Sequence, residues 1–196
     1  MLKDWKEKLE KYKEHLEIMG EHRNSYSKTD HEATFMRMKE DHMLNGQLKP
    51  GYNIQVGTEN NFVIGYDVFP NPTDTRTFAP HLENVQNRLK CKFKTVIADA
   101  GYGSEENYDY LEEKEITGIV KYPRYEKETK RSFKKKIFNA ENWKYDAEQK
   151  EYTCPCGNPV PYKKTVTKKN ESGYMQTYEV YRCDNCEGCP FRALCT

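Results

Sequence analysis

Asp99 follows a short apolar run, Val96-Ile-Ala98, and precedes two closely spaced glycines, Gly101 and Gly103. The run has the length and composition of a buried strand, and the glycines allow the backbone to turn sharply. Ser104, Glu105 and Glu106 then supply an N-cap and an acidic first turn for a helix. A carboxylate at the end of a strand lies on the rim where α/β sheets place their chemistry. Its hard oxygens suit Mg²⁺. The same side chain also caps turns by accepting a backbone N–H, so spacing alone leaves both roles open.

Two other constellations carry chemistry. Cys154-Pro-Cys156 and, farther on, Cys183-x2-Cys186-x2-Cys189-x5-Cys195 have the clustering of metal ligands rather than disulfides. Residues 160–167 and 174–182 read as strands joined by a polar turn, a hairpin that brings Cys154 and Cys156 beside Cys183 and Cys186. Four thiolates of that kind make a closed, structural Zn²⁺ site of the zinc-ribbon type; Cys189 and Cys195 are alternative ligands or spare. Cys183 to Pro190 also echoes an iron–sulfur ligand run, but its fourth cysteine is misplaced, so zinc is preferred. Between residues 121 and 136 lie eight Lys or Arg and only two Glu, interleaved with Tyr122, Tyr125 and Phe133. Arg124, Lys127, Lys130, Arg131, Lys134 and Lys135 could neutralise phosphates while the aromatics stack on bases; the competing reading is a solvated linker.

The elements that must position these groups follow from periodicity. Leu2, Trp5, Leu9, Tyr12, Leu16 and Met19 form one apolar stripe on a helix ending near Gly20. That stripe is expected to pack on a neighbouring helix and to be adhesive if left bare. Residues 52–58 and 62–69, with the polar turn 59–61 between them, read as a β-hairpin stopped by Pro70 and Pro72. A helix is expected from Thr75 to Leu89, with Phe78, Leu82, Val85 and Leu89 on one face and Thr73 or Asp74 near its N-cap. The Asp99 strand, a helix to about Lys114 and a strand over 116–120 complete the order. Asp67 and Asp74 are further carboxylates that could approach a metal, but Asp67 is expected to point to solvent and Asp74 to cap a helix; Cys91 is expected to be a packing residue, and His31 and His42 surface or loop residues.

Several longer motifs occur in one order: Ser27-Lys-Thr-Asp30-His-Glu-Ala-Thr-Phe-Met36-Arg-Met-Lys39, Leu48-Lys-Pro-Gly51-Tyr-Asn53-Ile-Gln55, Asn71-Pro-Thr-Asp74-Thr75-Arg76 and Ala98-Asp99-Ala-Gly-Tyr-Gly103-Ser104. With the cysteine-rich end, they resemble bacterial insertion-sequence transposases of the DDE, RNase H-like type. The resemblance covers nearly the whole chain. It implies a mixed α/β fold: an RNase H-like core lacking its first strand, preceded by a helix and followed by the cysteine hairpin. It further implies cutting and rejoining of DNA with Mg²⁺ or Mn²⁺ held by two Asp and one Glu, and Asp99 is then the second acid of that triad.

Departures from the pattern are equally specific. No strand-borne Asp precedes residue 50, and Asp30 sits in a motif that is not the catalytic one in such enzymes. The Tyr-x2-Arg-x3-Glu-x6-Lys motif that supplies their Glu has only a near-match, Arg124-x3-Glu128-x6-Lys135, with Lys121 where Tyr is expected. The chain is therefore expected to be an internal fragment, inactive alone or complemented by another chain or copy. The rival from another class is a non-catalytic, zinc-stabilised DNA- or partner-binding module.

Composition bounds the rest. In 196 residues, 36% are hydrophobic and 32% charged, with net charge +1. That balance fits a modest core, and it gives no global field for DNA, so contacts must come from local patches. No apolar run approaches a membrane span or a secretory leader, which points to the cytoplasm. The expected organisation is a helix over 1–23, the core over 24–123, a basic linker over 124–151 and the cysteine-rich segment over 152–196.

Overall fold

The computed structural model describes residues 2–20, 23–38 and 42–195, so Lys39 of the first motif lies outside the described residues. The chain divides into two compact units, Met1–Pro123 and Arg124–Thr196.

In the first unit, α1 (Leu2–Met19) matches the stripe read from sequence. It closes with Gly20 at φ +66°, whose N–H bonds the Leu16 carbonyl. Arg23 donates to the Ile18 and Met19 carbonyls, covering the last orphaned acceptors. No residue of α1 is buried, and Trp5 remains 63% exposed. Two strands then appear where only polar, punctuated chain was expected: β1 (Thr34–Arg37) pairs antiparallel with β2 (Leu48–Gly51). They are short and β2 is almost wholly exposed, so neither leaves a readable period.

β3 (Asn53–Glu59) and β4 (Phe62–Phe69) form the expected hairpin. Its polarity is inverted. Gln55 and Asp67 face the helix α2 (Phe78–Leu89), where Asp67 accepts from His81, Asn84 and Arg88. The neighbouring pairs Ile54–Val68 and Val56–Tyr66 lie on the opposite face and are all more than half exposed. Asp67 therefore does not point to solvent: the partners on α2 overrule strand alternation. Helix α2 starts at Phe78, after a 3-10 turn at Asp74–Arg76. Its Val85, 1% exposed, packs on Gly65 of β4.

β5 (Thr95–Ala98) runs parallel to β6 (Thr117–Val120), with α3 (Glu105–Glu113) between them. Phe78, Leu82, Leu111 and Ile116 form the core, and Val96, Ala98 and Val120 pack against it. Ile97 and Ile119 point the other way and are 77% and 56% exposed. The Asp99 strand is thus half-buried rather than fully buried, because its helices cover one face only. Nor do these strands join one mixed sheet. Among the described residues β1–β2, β3–β4 and β5–β6 are separate two-stranded ladders.

In the second unit, α4 (Tyr125–Thr129) and α5 (Arg131–Lys134) are short helices within the stretch expected to be a basic linker. A four-stranded antiparallel sheet follows, ordered β10–β9–β8–β7, with β7 at Lys144–Asp146, β8 at Glu151–Thr153, β9 at Pro159–Lys169 and β10 at Met175–Tyr181. Tyr145, Tyr152, Tyr162 and Tyr181 pack ring against ring at its base, and the last helical turn, α6, is Arg192–Cys195. Among the described residues, no helix is long and apolar enough to cross a membrane.

Candidate metal and nucleic acid sites

Asp99 stands where β5 ends. Its Oδ1 accepts from the Gly101 N–H at 2.8 Å, so it does cap the turn at Ala100–Tyr102. The residue is exposed, and the cap engages only one of its two oxygens among the hydrogen bonds seen. Ser104 caps α3 by accepting from the Asn107 N–H at 3.1 Å, as its position in the sequence predicts.

A second carboxylate converges on the same place. A Cβ built on Gly101 would lie 3.0 Å from Asp99 Oδ1 and 3.0 Å from Asp74 Oδ2. A side chain at this position would press on both acids. The two turns are tied together: Thr75 Oγ1 donates to the Gly101 carbonyl at 3.2 Å. Buried Asn107 donates to the Thr75 and Tyr102 carbonyls at 2.9 and 2.7 Å. Asp74 is not a helix cap through its side chain. Its Oδ1 accepts from Asn53 at 2.8 Å and Gln55 at 3.2 Å.

Gln55 is 2% exposed and fully used. Its amide N–H groups bond Asn53 and Asp74, and its oxygen accepts from the Tyr102 hydroxyl. Burial raises the Tyr102 pKa above its usual value of 10, with the Asp74 and Asp99 charges adding to it. The two oxygens that approach the Gly101 position, Asp99 Oδ1 and Asp74 Oδ2, are both carboxylate, the hard donors a divalent cation takes. Gln55 was legible only as a member of a longer motif, and Asp74 as a carboxylate that could approach a metal but more simply capped a helix; their convergence on Asp99 needs the tertiary structure.

The cysteines converge too. Cys154, Cys156, Cys183, Cys186, Cys189 and Cys195 line one cavity of about 860 Å³ in the second unit. All are reduced. The contacts pair Cys156 with Cys189, Sγ to Sγ at 3.1 Å, and Cys183 with Cys186. Cys189, left open as an alternative ligand, thus sits closer to the expected set than its spacing requires. Backbone N–H groups of Phe191 and Arg192 also point at Cys189 and, after the Cys156 contact, hold its thiol below the usual range. Among the described residues, no group of three or more His, Cys, Asp or Glu is gathered tightly enough to hold a metal. Cys91, expected to pack, is exposed, because α2 has already ended at Leu89. His31 and His42 are exposed, as expected.

The basic run is partly spent on structure. Arg124 pairs with Glu128 at 3.2 Å and with Glu141 at 2.5 Å, and this guanidinium holds the Glu141 carboxyl below its usual range. Arg124 and Lys127 also lie over the ring of buried Phe133. Glu128, the near-match to the triad Glu, is therefore committed to a helical ion pair. Lys130, Arg131, Lys134 and Lys135 are all exposed along α4–α5.

A sequence profile of the transposase DDE domain family matches residues 23–183. The chain belongs to the transposase DDE domain family. The match takes in the hairpin, both turns around Gly101, the basic helices and the ribbon that carries the chain to Cys183. No curated protein and no solved structure matches the chain.

Proposed function

We propose that the first unit of this transposase domain is the metal-binding part of a DNA strand-transfer centre, with Asp99 as a ligand and Asp74 as its neighbour in the same site. The convergence of both carboxylates on Gly101 carries this reading. Enzymes of this family act with a divalent metal, and oxygen donors on two rigidly joined turns are the right chemistry for Mg²⁺ or Mn²⁺. When bound, such an ion supplies Lewis acidity to the phosphodiester and lowers the pKa of attacking water. The chain's own residues do the positioning. The N–H of Gly101 fixes one Asp99 oxygen, Asn53 and Gln55 fix one Asp74 oxygen, and Asn107 and Thr75 lock the two turns together. The first Asp and the Glu of the triad would come from elsewhere in this chain or from a complementing one. Among the residues read from sequence, Lys130, Arg131, Lys134 and Lys135 are the better DNA contacts, since Arg124 and Lys127 already serve Phe133 and Glu141. The RNase H-like core belongs to the same reading.

The test is metal-dependent nicking of supercoiled plasmid. Nicking with Mg²⁺ or Mn²⁺ that disappears in Asp99→Ala supports the reading. Salt-sensitive DNA binding without any cleavage, even with a complementing chain, favours a non-catalytic binding module.

In the second unit we propose a structural Zn²⁺, drawn from Cys154, Cys156, Cys183 and Cys186, with Cys189 able to replace one of them. Six cysteines outside any disulfide line one cavity and support it. Purified protein should carry about one zinc per chain, and chelation should unfold the second unit. Absence of zinc from freshly purified, reduced protein would rule the site out.

A further inference from the structure

We propose that the β9–β10 ribbon is a duplex-DNA-binding arm, and that it acts through one face only, the one carrying Lys164, Lys168 and Tyr178. This rests on the DNA-acting function proposed above. The ribbon poses a physical question first. β8 pairs with β9 at Pro159–Pro161, and the Tyr162 N–H bonds the Lys150 carbonyl just beyond, so among the described residues β9 from Lys163 onward pairs in the sheet with β10 alone. Neither strand buries a residue along that stretch. A two-stranded ribbon with no core beneath it is marginal in water, so packing does not account for its length.

Its two faces differ in charge. The register places Lys164 opposite Val180, Val166 opposite Tyr178 and Lys168 opposite Gln176. That face has no carboxylate, and its tyrosine is 46% exposed with the hydroxyl donating to Gln176 at 2.7 Å. The opposite face pairs Thr165 with Glu179, Thr167 with Thr177 and Lys169 with Met175. An irregularity between Val180 and Tyr181 leaves Lys163 out of the ladder. Below that point the acidic face is continuous with the tyrosine cluster: Tyr162 bonds Thr165, and Tyr181 donates to Glu179. Lys163 itself is paired with Asp184 at 2.5 Å. The two faces thus differ in charge: one holds Glu179 with Lys169, the other two lysines and no carboxylate.

The dimensions fit a duplex. Two strands about 4.8 Å apart enter a major groove roughly 12 Å wide, as β-ribbon readers do. Lys164 and Lys168 are four residues apart, about 13 Å along the strand, far enough to reach phosphates on both walls. The tip is held in shape: the Asn170 side chain accepts from the Ser172 and Tyr174 N–H groups, and Gly173 takes φ +92°. Little ordering of the arm is left to be done on binding.

The test is fluorescence anisotropy of the full chain with a short duplex oligonucleotide, titrated across salt concentrations. The Lys164→Gln/Lys168→Gln variant is predicted to bind more weakly and to lose about 2 from the slope of log K against log salt, about 0.9 per phosphate contact. Lys169→Gln, on the opposite face, is predicted to leave that slope nearly intact. If the double variant keeps the wild-type slope while Lys130→Gln/Lys134→Gln loses it, the ribbon assignment falls and α4–α5 is the DNA surface. Tighter binding of single-stranded than of duplex oligonucleotide likewise overturns the groove geometry. No binding by the wild-type chain removes this inference and the DNA contacts of the proposed function together.

Discussion

Asp99, Asp74 and Gln55 show how three ordinary side chains become a site. Asp99 satisfies the local reading, since it caps its own turn, and it keeps an oxygen free of that cap. What sequence spacing does not encode is that Asp74, 25 positions earlier in the numbering, shares the Gly101 cradle. Gln55 holds one side of that pair and the Tyr102 hydroxyl at once. Tyr102 makes this network sensitive to alkali. Its folded pKa is raised above 10, so the unfolded chain loses the proton first as pH rises. The stabilising contribution is complete below pH 10 and is lost as pH climbs through the folded value. Denaturant melts of Tyr102→Phe are predicted to show a smaller loss of stability above pH 10 than wild type. An identical alkaline loss in both proteins would place the sensitivity elsewhere.

Among elements, those with a strong local period were legible and those defined by distant pairing were not. The α1 stripe, the β3–β4 hairpin and α2 all lie close to where periodicity and turn residues put them. β1 and β2 escaped notice because four residues with a Pro or a single apolar pair carry no period. The inverted hairpin is the instructive case. Alternation predicts which residues share a face, and it is right about that. It assigns the wrong face to the interior, because His81 and Arg88 on α2 recruit Asp67 inward. The cost of that choice is a helix–hairpin contact with little slack. A Cβ at Gly65 would lie 2.6 Å from Val85 Cγ2. Gly65→Ala is therefore predicted to destabilise the first unit by about 1–3 kcal/mol through overpacking. Adding Val85→Ala should recover part of that loss, a non-additivity readable in a double-mutant cycle. Strict additivity of the two changes would mean that β4 and α2 do not press on each other at that point.

The whole molecule combines two units with different chemistry. The first gathers hard oxygen donors on turns, and the second gathers thiols around a cavity. That division was visible in the sequence as separate blocks of acidic motifs and cysteines. The pairing of Cys156 with Cys189 was not, since hairpin geometry alone brings the earlier cysteines equally close. The separation of hard and soft donors also makes the central claim measurable on the full chain, because Mn²⁺ prefers carboxylates to thiolates. The most direct measurement is a Mn²⁺ titration followed by electron paramagnetic resonance, on wild type, Asp74→Ala and Asp99→Ala. Saturable binding in wild type, weakened in Asp74→Ala and abolished in Asp99→Ala, is the predicted result. If Asp99→Ala titrates like wild type, Asp99 is a turn cap and nothing more, and the metal centre is not where we place it.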